Sequence, residues 1–125
     1  MTYRICLVED HPVVREAYTM VLADCGDFEV FVSVATAEEA LVLLEGEVCH
    51  LVVTDIRLPG MSGIELVERL TVERPDVRAL VITGQEEAVY QPRALAAGAM
   101  GFLPKRRAAR QLIPTIRAAL GVGTN

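Results

Sequence analysis

The stretch "LVVTDIRLPGMSG" (Leu51–Gly63) runs from an unbroken apolar segment into a carboxylate, Asp55, and then into a loop carrying Pro59, Gly60 and Gly63. A short apolar run bounded by turn-forming residues reads as a buried strand. Strands that are apolar at every position are expected where helices cover both faces of a parallel sheet. An aspartate at the end of such a strand can cap, bind a metal or do chemistry, and the rest of the chain decides which.

The same pattern recurs on either side. "YRICLV" (Tyr3–Val8), "FEVFVSV" (Phe28–Val34), "HLVVT" (His50–Thr54), "RALVIT" (Arg78–Thr83) and "GFLP" (Gly101–Pro104) read as strands. Helical spacing of apolar residues appears between them, at Val14, Ala17, Val21 and Cys25, then at Ala37, Ala40, Leu41 and Leu44. It continues at Val67 and Leu70, and at Leu112, Ile116, Ala119 and Leu120. "TAEE" (Thr36–Glu39) and "SGIE" (Ser62–Glu65) are capping boxes that mark helix starts, and Pro12 suits a first helical turn. Strand alternating with helix through the whole chain gives an α/β domain with a parallel sheet.

The bulk properties exclude several classes. A chain of 125 residues, 52% of them apolar, fits one domain with a real core. No apolar run approaches the roughly 18 residues that cross a bilayer, so no membrane association is expected. Nothing in the N-terminal stretch has the pattern of a secretory leader, and a cytoplasmic location is expected. Cys6, Cys25 and Cys49 lack metal-type spacing and read as reduced thiols, the first and last buried. A net charge of −5 argues against direct binding of nucleic acid by this segment. Among 12 cationic side chains only one, Lys105, is a lysine, which supplies a compact point charge where arginine supplies a planar fork.

Ligands of open α/β sheets sit beyond the carboxyl ends of the strands. Glu9 and Asp10 follow the first of these, Asp55 the third, Thr83 ends the fourth and Lys105 follows the fifth. Singly, each has an ordinary explanation as a cap, a turn residue, a strand end or a surface charge. Together they set carboxylates, a hydroxyl and the lone lysine on one rim. Clustered carboxylates repel one another and their pKa values rise unless a cation intervenes. Hard oxygen donors suit Mg²⁺. With a metal and Lys105 to receive a phosphoryl group and Thr83 to hydrogen-bond it, Asp55 is placed to act as a nucleophile forming an aspartyl phosphate. His11 adjoins the site, and a helix-start residue is the preferred reading over a catalytic or phosphate-relay role. The arginines at 106, 107, 110 and 117 read as a solvated or protein-facing side of the last helix.

On "VED" (Val8–Asp10), "TDIRLPGMSG" (Thr54–Gly63), "VIT" (Val81–Thr83) and "AGAMGFLPK" (Ala97–Lys105), the chain resembles the response-regulator receiver domains of two-component signalling. "EDHPVVREAY" (Glu9–Tyr18), together with the "AGAMGFLPK" stretch, makes it most similar to receivers that carry a LuxR-type helix-turn-helix effector. The resemblance implies a doubly wound five-stranded parallel sheet of order 2-1-3-4-5 flanked by five helices, the flavodoxin-like receiver fold. It implies Asp55 as phosphoacceptor, with Asp10, Asp55 and the Arg57 backbone carbonyl as Mg²⁺ ligands and Glu9 acting through water. Thr83 and Lys105 would bind the phosphoryl group, and Phe102 would be the aromatic switch residue beside Thr83. A sensor histidine kinase would be the donor, and an attached or partner effector, DNA-binding and regulating transcription, the output. A homodimer stays open. Such a protein is no enzyme beyond promoting its own phosphoryl transfer and dephosphorylation. Residues 1–120 would form the receiver and 121–125 the start of a linker or a frayed tail, with the chain expected to be the N-terminal part of a longer protein.

Three other readings compete. An aspartyl-phosphate phosphatase of the haloacid-dehalogenase type needs a second aspartate where Arg57 stands. A flavin-binding module needs a phosphate cradle where the acidic "EDHP" lies. A degenerate receiver working without phosphorylation is at odds with the intact site residues. The sequence also departs from the common receiver pattern. Pro104 precedes Lys105 instead of following it, Phe102 lacks a phenolic hydroxyl, and Arg57 is set to overhang the site. Pro92 predicts that the regular fourth helix begins near Gln91–Pro92 and runs to about Ala97, with Gln85–Tyr90 in a loop and the signalling face loosened. Pro114 is expected to bend the last helix or to leave the Arg110 carbonyl without its helical partner.

Overall fold

The computed structural model describes residues 2–122. Five strands alternate with five helices: β1 (Tyr3–Val8), α1 (Pro12–Asp24), β2 (Phe28–Val34), α2 (Ala37–Leu44), β3 (Leu51–Thr54), α3 (Gly63–Glu73), β4 (Arg78–Thr83), α4 (Glu87–Ala97), β5 (Gly101–Pro104) and α5 (Lys105–Leu120). All strand pairs are parallel and the order is β2-β1-β3-β4-β5, as the resemblance implies. Part of the expected tail, residues 123–125, lies outside the described residues.

The period of two along each strand sorts the core into layers. Ile5 and Leu7 of β1, Leu51 and Val53 of β3, and Leu80 and Ile82 of β4 pack with Leu22 of α1 and Leu112 and Ile116 of α5. The alternate residues Cys6, Val8 and Val52 face α2 and α3, through Ala37, Ala40, Leu44, Leu66 and Leu70. Ala79 and Val81 meet Val67 of α3 and Ala94 of α4. Both faces of the sheet are therefore covered, which is why β3 is buried at every position. Burial also pushes the Cys49 thiol up to about 11 and the Cys6 thiol higher still, so both stay protonated and unreactive.

The capping residues act as expected. The Thr36 hydroxyl accepts from the Glu39 N–H at 3.1 Å, and Ser62 does the same for Glu65 at 3.2 Å. Pro12 opens α1.

Two expectations need correction, and a third is met in one of its two forms. In α1 the inward stripe is Val14, Tyr18, Leu22 and Cys25, while Ala17 and Val21 are exposed. The helix is apolar on several sides, so spacing alone could not choose its face. Arg15 fixes the rotation by donating to the Glu9 carbonyl at 2.7 Å.

The fourth helix does not begin at Pro92. It runs unbroken from Glu87, and the N–H groups of Val89 and Tyr90 already bond to the Glu86 carbonyl, so Gln85–Tyr90 is no free loop. Pro92 costs the helix the bond to the Ala88 carbonyl, but both residues are exposed, where water satisfies the orphaned oxygen. Tyr90 and Ala94, packed against the sheet, hold the rest. The reason given for a loosened signalling face thus falls away.

Likewise α5 is uninterrupted through Pro114, which sits on the solvent side above Arg110. The Arg110 carbonyl lacks an intrahelical partner there, for want of a proline N–H, without ending the helix.

Candidate functional site

The strand order reverses between β1 and β3, and a crevice opens beyond their carboxyl ends. The ladder continues one residue past each strand. The Glu9 N–H donates to the Val34 carbonyl at 3.0 Å and the Asp55 N–H to the Val8 carbonyl at 3.1 Å. Backbone pairing therefore fixes both carboxylates side by side. Glu9 is 2% exposed and Asp55 6% exposed.

Lys105, the first residue of α5, reaches back over the rim. Its Nζ lies 2.8 Å from Glu9 Oε1 and 2.8 Å from Asp55 Oδ2. Pro104 carries the chain into that position. It closes the edge strand β5, pairs in register with Thr83, and serves as the cap before Lys105. The second oxygen of each carboxylate is also engaged. Asp55 Oδ1 accepts the Ile56 N–H at 2.7 Å, and Glu9 Oε2 accepts the His11 N–H at 3.1 Å, with His11 Nδ1 2.9 Å away. Asp10 differs: its Oδ1 is buried and has no hydrogen-bond partner among the described residues.

Charge follows this geometry. Burial pushes the Glu9 carboxyl up, but the Lys105 ammonium and the His11 hydrogen bonds outweigh it and leave the group below the usual carboxylate range. Burial pulls Lys105 down, and the bonds to Asp55 and Glu9 more than reverse this, so it stays above the ordinary lysine range. His11 is raised, first by its bond to Glu9 and then by Asp10. The relief of carboxylate repulsion that the sequence reading gave to a metal is thus partly supplied by the chain's own cations.

The loop after β3 answers the question raised by its glycines. Gly63 opens α3 directly against the strand end, and a Cβ there would stand 1.8 Å from the Asp55 carbonyl oxygen. Only glycine lets α3 start so close, and its N–H bonds to the Ile56 carbonyl at 2.9 Å. Gly60 takes φ +75°, and its neighbour Met61 donates an N–H to Glu38 of α2 at 2.9 Å, which ties the loop down.

The remaining sequence candidates sit around this centre. Thr83 is fully buried at the end of β4, and its hydroxyl accepts the Gln85 N–H at 3.2 Å. Phe102 on β5 is partly buried, pairs in register with Val81 and packs against the cluster that holds Val81, Ala94 and Ala99. Arg57 is exposed and lines a cleft of about 650 Å³ that also borders Asp10, Ser62, Tyr90 and Arg93. Sequence reasoning weighed His11 beside the site but preferred a helix start, and it overlooked the close approach at Gly63. The "EDH" order held the first signal, because a side chain two residues after Glu9 can fold back upon it. Nothing local marked Gly63 apart from other turn glycines.

The donor set fits a hard divalent cation. Glu9, Asp10, His11 and Asp55 each offer a ligand atom, all within 4.8 Å of one another, and the buried Asp10 Oδ1 makes no hydrogen bond, with His11 Nδ1 3.3 Å away.

Fold and site together define a class, and comparison with known proteins agrees. The response regulator receiver domain family matches residues 5–117, and the chain belongs to it. The response regulator GacA of Pseudomonas protegens is 32% identical over 114 residues, 91% of this chain and 54% of that protein. A LuxR-family two-component response regulator from Aurantimonas sp. is 33% identical with a TM-score of 0.90, over 97% of this chain and 86% of that one. A CheY-like receiver domain protein from Methanospirillum hungatei is 30% identical with a TM-score of 0.85, over 97% and 95%. The chain spans about half the length of the curated relatives it matches. Among the described residues no helix is long and apolar enough to cross a membrane.

Proposed function

We propose that the chain is a phosphorylatable receiver, residues 1–120, with 121–125 leading into a linker. Asp55 is the phosphoacceptor. A carboxylate oxygen of Asp55 forms a bond to phosphorus as the P–N bond of a kinase phosphohistidine breaks, and the electron pair stays on the departing imidazole. The observation that carries this reading is the Lys105 ammonium bridging Glu9 and Asp55 beside the unpartnered Asp10 oxygen. Asp10, Asp55 and the Arg57 carbonyl would hold Mg²⁺, with Glu9 acting through water. The bound cation supplies positive charge that offsets repulsion between carboxylates and phosphoryl oxygens.

Lys105 leaves Glu9 to follow the phosphoryl oxygens, and the Thr83 hydroxyl turns from Gln85 to donate to them. That turn pulls the β4–α4 connection and frees space for Phe102, shifting the balance between two packings of α4, β5 and α5. Self-directed phosphoryl transfer is the only chemistry involved. The donor is a sensor histidine kinase in the cytoplasm, and the shifted face acts on an attached or partner helix-turn-helix effector that controls transcription.

Incubation with acetyl phosphate and Mg²⁺ is expected to add one phosphoryl group, read by intact mass, and excess EDTA to prevent it. Full labelling in EDTA would contradict the role given to the acidic cluster.

A further inference from the structure

We propose that His11 is a nitrogen ligand of the cation site and tilts its selectivity from Mg²⁺ toward nitrogen-preferring first-row transition ions such as Ni²⁺. The inference rests on the cation site proposed above and adds to it a residue whose role is not that of a helix start. His11 occupies the N-cap of α1, yet its side chain makes no capping hydrogen bond. The ring turns back instead, placing Nδ1 2.9 Å from Glu9 Oε2 and 3.3 Å from Asp10 Oδ1. Neighbouring ligands of an octahedral ion with bonds of about 2.1 Å stand about 3.0 Å apart. The Nδ1–Asp10 Oδ1 distance therefore suits adjacent corners of one coordination shell, whereas the contact with Glu9 is the hydrogen bond that the ring makes without a cation. Asp10 Oδ1 is the buried oxygen with no hydrogen-bond partner, so a cation between it and Nδ1 would satisfy an atom that the fold leaves unsatisfied.

The rest of the ring is consistent with this role. His11 is 65% exposed, so its Nε2 side opens to solvent and Nδ1 is the inward nitrogen. A purely oxygen-lined site favours Mg²⁺, whereas an imidazole nitrogen adds little for Mg²⁺ and much for Ni²⁺. Glu9 then loses its contact with His11 Nδ1 when a cation arrives, but keeps the His11 N–H and Lys105.

The test uses the untagged chain and three forms: wild type, His11→Ala and His11→Asn. Asparagine preserves a side-chain N–H near the position of Nδ1 and is a good N-cap, so it maintains the bond to Glu9 and the helix start while removing the imidazole. Pulsed electron paramagnetic resonance of Mn²⁺-loaded wild type is expected to show directly coordinated nitrogen, absent from both variants. Calorimetric titration is expected to show Ni²⁺ affinity falling about tenfold or more in both variants, with Mg²⁺ affinity changed less than about twofold. Absence of nitrogen coupling in the wild type, or an unaltered Ni²⁺ preference in His11→Asn, would overturn the assignment. The underlying cation site is checked separately by Asp10→Asn, which should lose Mg²⁺ binding whatever His11 does.

Discussion

Gly63→Ala is expected to damage both stability and phosphoryl acceptance. The added methyl meets backbone, the Asp55 carbonyl oxygen, at 1.8 Å, and the Ile56 Cα stands at 3.0 Å, so no side chain can move aside. Either α3 withdraws from the rim or the end of β3 shifts. Overpacking of this kind costs about 3 kcal/mol, and a misplacement of about 1 Å at a reacting group costs on the order of a hundredfold in rate. Labelling by acetyl phosphate should slow to that extent, and the melting temperature should fall by about 5 °C or more. Gly46→Ala is the control. It imposes strain of a different kind, at positive φ, with nothing within 4 Å of the new methyl. It should lose about 1 kcal/mol and label normally. Wild-type melting and labelling in Gly63→Ala would contradict the close approach of α3.

Lys105→Met is expected to cost about 3 kcal/mol near neutral pH, because it strips the ammonium from two buried carboxylates. The pH profile distinguishes this from simple loss of packing. In the wild type the Glu9 carboxyl is lowered, so its contribution is complete above the unfolded value of about 4.3 and is lost as pH falls through the folded one. Lys105 is raised, so its contribution is complete below about 10.4 and is lost as pH rises through the folded value. Between those limits these two groups contribute a constant amount, and the slope that remains is that of His11, whose contribution is complete below about 6.5 and is lost as pH rises through its raised folded value. Without Lys105, burial dominates Glu9 and raises it. Below about 6.5, where His11 adds no further slope, the variant should then gain stability as pH falls toward about 4.3, the reverse of the wild-type acid limb. Urea unfolding across that range measures it, and an unchanged acid limb would show that Lys105 does not govern Glu9.

How much of this was legible in the sequence depended on which force did the placing. The strands were readable because they are buried on both faces, so runs such as "LVVT" carry no polar interruption. Glu9, Asp10, Asp55, Thr83 and Lys105 were readable as a group because parallel topology sends every strand end to the same rim. The face of α1 was not. Val13, Val14, Ala17, Met20, Val21 and Leu22 leave several near-equivalent apolar sides, and the contact between Arg15 and the Glu9 carbonyl that selects one is tertiary. The start of α4 failed for a similar reason. The proline rule is local, whereas Tyr90 and Ala94 anchor the helix to the sheet and the orphaned Ala88 carbonyl faces water. The intolerance of Gly63 was invisible because the atom it spares, the Asp55 carbonyl oxygen, is brought to it by the packing of α3 on the strand end.

The central claim is that Asp55, held by the β1–β3 ladder and paired with Lys105, is the atom-level target of phosphoryl transfer. Its most direct test is to treat wild type and Asp55→Asn with acetyl phosphate and Mg²⁺, reduce the acyl phosphate with borohydride, and map the product by peptide mass spectrometry. One modified residue, Asp55, in the wild type and none in Asp55→Asn is the expected result. Modification of another residue, or undiminished labelling of Asp55→Asn, would contradict the account.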